Sequence, residues 1–150
     1  MPFFYGRLAG QFMLKMLQRD YFIRLIQEFM AALQKFLEKK EGRDRDAMLR
    51  DLYRQYVGDY DLLRNLSFEE ALEFARDQWA EDERVERLEM LAELYYAEGS
   101  ALQKPMRDIL LQKAFMVFDY VDANGKTFSL DRRQKMAYIR RQLGETPALI

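Results

Sequence analysis

The chain has 150 residues, 49% hydrophobic and 33% charged, with a net charge of −1, which is apolar material for one core and too little length for two ordinary domains. Cysteine and histidine are both absent, and this excludes disulfides, thiolate nucleophiles, zinc fingers, iron–sulfur clusters and Ser-His-Asp catalysis. Seven Gly and three Pro beside eleven Phe and nine Tyr describe a chain that folds, not a low-complexity one.

Residues 1–16 read as an N-terminal arm with Phe3, Phe4, Tyr5 and Phe12 on display, either a docking or swapping segment or an over-extended start before Met13 and Met16. The uncharged run Leu8–Leu14 lies between Arg7 and Lys15, far short of the roughly 20 apolar residues that span a bilayer. Lys15 and Arg19 interrupt the place where the apolar core of a secretory signal would lie. No membrane span is expected, and a chain without cysteine suits a cytoplasmic setting. Residues 17–144 read as a single helical domain, and 145–150 as a C-terminal tail.

The spacing of apolar residues predicts an all-α fold of about six helices in antiparallel hairpins, since no stretch alternates long enough to argue for a sheet. A first helix over about 21–40 takes Asp20 as N-cap and carries Phe22, Ile26, Phe29, Met30, Leu33, Phe36 and Leu37 on one stripe. A second, about 45–57, aligns Met48, Leu49, Leu52, Tyr53 and Tyr56 and stops at Gly58, where a short connector begins. Ser67 and Glu70 make a capping box for a third helix bearing Phe68, Ala71, Leu72, Ala75 and Trp79. A fourth, about 83–98, turns Val85, Leu88, Leu91, Ala92 and Tyr95 inward and ends at Gly99. A fifth, from near Pro105 to about Val121, has an apolar set (Met106, Ile109, Leu110, Ala114, Phe115, Val117, Phe118, Val121) wide enough to predict the most buried helix. Asn124-Gly125 predicts a turn with left-handed backbone, and Ser129 caps a sixth helix, Leu130 to Leu143, stopped by Gly144.

Leu88, Leu91, Ala92 and Tyr95 followed by Ala114, Phe118 and Val121 give the second half a pattern that resembles a tetratricopeptide-type repeat. It has about nine extra residues against the roughly 34-residue period, and no terminal proline. From Asp20-Tyr21-Phe22 through Ala92-Glu93-Leu94-Tyr95-Tyr96 to Lys126-Thr127-Phe128-Ser129, the chain is also similar to an uncharacterised family of small bacterial helical proteins of unknown function. That resemblance implies an all-helical fold and carries over no active site.

Three constellations invite chemistry. The run from Phe118 to Gly125 sounds like a calcium loop, but aligning Gly125 with the required glycine puts Tyr120 at the first ligand position and Asp131 at the last, so the loop fails as a ligand set. Glu70 and Glu73 on one helix, with Glu86 and Glu89 on the next, offer carboxylates at i and i+3. Such pairs resemble those with which all-helical nucleotide pyrophosphohydrolases hold Mg²⁺ or Mn²⁺. Arg76, Arg84 and Arg87 lie at ion-pair spacing from these acids, and a salt-bridged, solvated face accounts for them without a metal.

The third is charge segregation. From Glu69 to Glu98 eleven acids face three bases, a balance of −8, whereas from Lys126 to Arg141 six bases face one acid, a balance of +5. The basic helix, with Arg132, Arg133, Lys135, Tyr138, Arg140 and Arg141, can meet phosphates, the acidic face of another copy, or its own acidic neighbour. A sequence pI near 5.7 argues against a dedicated nucleic-acid domain, so protein partnership, self-association or internal pairing comes first. No glycine-rich phosphate loop or Gly-x-Ser-x-Gly elbow is present. The sequence therefore predicts a non-catalytic, cofactor-free interaction module, with a carboxylate-dependent hydrolase or a nucleic-acid binder as alternatives.

Overall fold

A computed structural model describes residues 2–39 and 42–144, with side chains described for 9–39, 42 and 44–144; the predicted tail, 145–150, lies outside them. The described residues are all-helical and contain no strand. Seven helices follow one another: α1 (Pro2–Glu38), α2 (Arg43–Tyr56), α3 (Tyr60–Asn65), α4 (Phe68–Gln78), α5 (Glu81–Ala101), α6 (Met106–Asn124) and α7 (Leu130–Gln142). The chain divides into two compact units, Met1–Lys39 and Lys40–Ile150.

The first unit is α1. The predicted start near Tyr21 is corrected, because the helix already runs from Pro2 and Asp20 lies inside it. After Pro2 no proline interrupts this stretch, and the Leu, Met, Gln, Lys and Arg that fill it are good helix formers. Phe22, Phe29, Leu33 and Phe36 are buried along one stripe. Every residue from 9 to 21 is exposed.

In the second unit, α2 lies between Gly42 and Gly58, both with positive φ (125° and 150°), a conformation that glycine adopts without steric cost. Its predicted stripe is buried at Leu49, Leu52, Tyr53 and Tyr56. The segment predicted as a connector contains α3. Asp59 accepts from the Leu62 backbone N–H at 3.0 Å, and Leu63 is fully buried. The capping box of α4 is present in full. Ser67 Oγ accepts from the Glu70 amide at 3.2 Å, and Glu70 Oε1 accepts from the Ser67 amide at 3.0 Å.

Helix α5 is the centre of this unit. From Leu88 to Gly99 it is buried at every position except Glu89 and Tyr96. The prediction that α6 would be the most buried helix is thus corrected, and Ile109, expected to face inward, is exposed. The two helices form an antiparallel hairpin in which Gly99 meets Leu110 and Leu111 at one end and Gly125 meets Val85 at the other.

Two glycines play roles other than those expected. Gly99 does not end α5, which continues to Ala101. A Cβ there would lie 3.0 Å from Leu110 Cβ and 3.3 Å from the Leu111 amide nitrogen, so glycine lets two helix backbones approach closely. Gly125 has φ −79°, ordinary extended backbone and not the left-handed turn predicted; a Cβ would come within 2.8 Å of the Val121 carbonyl oxygen. Helix α7 runs antiparallel to α6, with Arg132 near Asp122 at one end and Arg107 near Gln142 at the other.

Candidate functional site

A row of acids one turn apart on α5, Glu89 and Glu93, lies opposite a row of bases on α7, Arg132 and Lys135, at i and i+3. Helical spacing puts each row on one face, and α7 runs alongside α5 so that the rows meet in order. Arg132 is 2% exposed. It binds Glu89 Oε2 at 2.8 Å and Asp122 Oδ1 at 3.0 Å, and donates to the Thr127 carbonyl at 2.9 Å. Lys135 Nζ lies 2.7 Å and 2.8 Å from the two Glu93 oxygens and 2.8 Å from Asp131. A buried arginine survives only when its donors are taken in this way.

The electrostatics follow from that enclosure. Burial pulls the Lys135 ammonium down, but the charge of Glu93 and the bonds it donates to Asp131 and Glu93 outweigh this and hold the group above its ordinary value. Burial pushes the Glu93 carboxyl up against the opposing pull of Lys135. With Nζ touching both carboxylate oxygens, the pair is ionised at neutral pH. Burial also pushes Asp122 up, and the hydrogen bonds and charges of Arg132 and Arg133 reverse this and keep it below the usual carboxylate range.

The other predicted contact residues of α7 sit around this seam. Arg133 binds Asp122 at 2.9 Å, with its Cζ 5.1 Å from the centre of the Phe128 ring. Tyr138 packs edge-on against Tyr96 at 5.9 Å, and Arg140 lies over Phe115 at 5.1 Å. Arg141 is exposed. Of the six, Arg132, Arg133 and Lys135 are drawn into internal ion pairs, and their spacing alone did not tell an internal partner from an external one.

The four carboxylates weighed as a metal set are engaged elsewhere or apart. Glu70 caps α4, and its bonds to Ser67 hold its carboxyl below the ordinary value. Glu89 binds Arg132. Glu73 is exposed on α4 and Glu86 half-buried on α5. Among the described residues no three acids come together in a group that could hold a metal ion.

Sequence reasoning passed over two further features. The first joins α3 to α5. Glu98 Oε2 accepts from Tyr60 Oη at 2.6 Å and from Arg64 Nε at 2.9 Å, Tyr53 stacks edge-on to Tyr60 at 4.9 Å, and Tyr95 Oη donates to the Leu63 carbonyl. Burial, reinforced by the bond to Glu98, pushes the Tyr60 phenol up, so it is a protonated donor at neutral pH with no basicity to offer. The Tyr60/Arg64 spacing of one turn was the available signal.

The second is the corner between α6 and α7. Ser129 Oγ accepts from the Arg132 amide at 3.1 Å and caps α7. The residue before the cap, Phe128, is 70% exposed and the one after it, Leu130, 61% exposed. A residue at Phe128's position normally packs against an apolar partner in the first turn. Here the partner is Arg133, and a cation–π contact takes the place of apolar packing. No known family model, curated protein or solved structure matches the chain.

Proposed function

We propose that the chain is a non-catalytic helical interaction module that engages a protein partner through the α6–α7 corner, where Phe128 and Leu130 stand exposed beside Arg133. The supporting observation is that Phe128 and Leu130 are 70% and 61% exposed while the charges behind them are already paired. Phenylalanine and arginine are among the residues enriched at protein interfaces, and Leu130 extends the apolar surface beside them. The antiparallel α5–α6 hairpin and the latched α7 supply a rigid base for such a knob.

Binding of phosphates by α7 fits less well, because Arg132 and Lys135 would have to leave Asp122, Glu89 and Glu93 to provide it. A cytoplasmic setting agrees with the lack of cysteine. The test is affinity capture with the full chain as bait, run in parallel with Phe128→Glu plus Leu130→Glu. A protein retained by the first bait and lost from the second supports the reading. Identical capture by both baits removes the corner from it.

A further inference from the structure

The first half of α1 carries a second surface, distinct from the corner. Counting about 100° per residue from Phe12, the exposed Phe12, Met16, Met13, Leu17, Tyr21 and Leu14 fall on one arc of about 200°. Only Asp20 interrupts it. The complementary arc holds Gln18, Gln11, Lys15 and Arg19. Phe12 is 66% and Leu17 60% exposed, far from the enclosure that apolar side chains of this size normally find.

The buried stripe of the same helix, Phe22, Phe29, Leu33 and Phe36, projects onto the opposite arc, the one that Gln11, Lys15 and Gln18 occupy in the first half. The apolar arc of residues 9–21 is therefore not a continuation of the packed stripe. It is a separate face with a basic margin. Residues 9–21 hold Lys15 and Arg19 against the single acid Asp20, and Arg7 precedes them.

We propose that residues 9–21 of α1 lie in the plane of an anionic lipid surface, with Phe12, Met13, Met16 and Leu17 among the acyl chains and Lys15 and Arg19 at the headgroups. Two features select a bilayer over a second copy of the chain. A helix pair covers only a narrow seam and would leave much of an arc this wide in water, whereas a membrane interface receives a whole half-cylinder. An anionic surface also attracts Lys15 and Arg19 at roughly 1 kcal/mol per cation, an attraction that a second copy carrying the same two cations does not offer. The segment is about 20 Å long and lies on the surface without crossing it. No helix among the described residues is long and apolar enough to cross a membrane.

The experiment is flotation of the full chain with vesicles of phosphatidylcholine alone and of phosphatidylcholine with about 30% phosphatidylserine. The intact protein is expected to float with the anionic vesicles, and Phe12→Ser plus Leu17→Ser to weaken this by about tenfold or more. Lys15→Glu, or raising salt to about 500 mM, should weaken it further on the anionic vesicles alone. Circular dichroism and melting temperature of the variants should match the parent, since the residues changed are exposed. Failure of the intact chain to float, or equal flotation of the double serine variant, overturns the proposal. A dimer seen by light scattering that the double serine variant dissolves, with no flotation, assigns the face to a second copy instead. Capture through Phe128 is read separately and is unaffected by either result.

Discussion

The first half of α1 and the middle of α5 are both helical and both rich in Leu, Met and aromatic residues, yet one displays these side chains and the other hides them. Along α5, Leu88, Leu91, Leu94 and Tyr95 are at most 1% exposed, Glu89 and Glu93 between them are tied to α7, and Glu98 one turn on is tied to α3. Along residues 9–21 of α1 nothing is buried. Apolar content alone therefore does not distinguish a core helix from a surface one. What distinguishes them is whether neighbouring helices bring a complementary row of charges and a close backbone approach, as α7 and α6 do for α5.

The sharpest way to break this contrast is to make one substitution in both places. Leu91→Ala is expected to destabilise the fold by about 4 kcal/mol, through lost burial and the cavity left behind, and Leu17→Ala by less than about 0.5 kcal/mol in vesicle-free buffer. Chemical denaturation of the two variants measures both, and similar losses would mean that the first half of α1 is packed. A somewhat smaller effect is expected for Arg132→Met. It removes the bonds to Glu89, Asp122 and Thr127, leaving Glu89 without its cation and Asp122 with Arg133 alone, a loss of about 3 kcal/mol. Hydrogen exchange along α7 should rise in step, and unchanged exchange would show that the ion pairs do not hold this helix.

The smallest effect depends on pH. Asp122 has its carboxyl depressed in the fold, so its contribution is complete above the usual carboxylate range and is lost as pH falls through the depressed value. The melting-temperature gap between the parent chain and Asp122→Asn should thus be widest near neutral pH and close on acidification. A gap that is flat with pH would mean that Arg132 and Arg133 do not stabilise the ionised form.

Local signals in the sequence were readable where the interaction is local. Ser67 with Glu70 and Ser129 ahead of α7 form the caps their spacing implies; the stripes of α2 and α5 are buried except at the half-buried Met48 and Val85, and that of α4 is buried at Ala71 and Ala75 and half-buried at Phe68, Leu72 and Trp79. Helix α3 was missed because six residues are too few to show a period, although Asp59 was a usable cap signal. Asp20 misled because a good N-cap residue also sits without difficulty on the exposed face of a continuing helix. Gly99 has the composition of a helix end, and only the neighbouring helix reveals it as a crossing point. The seam was the least readable part, because Arg132 and Glu89 are 43 residues apart and nothing in the spacing of either row names the other as its partner.

The bare backbone at Gly99 also sets the phase of the whole array. Sliding α5 along α6 by one turn, about 5.4 Å, would bring a residue with a side chain to a crossing that has no room for a methyl group. The hairpin is thereby indexed like two gears with a single matching tooth. Since α7 touches both members at once, the same index determines which carboxylates it finds in front of its cations.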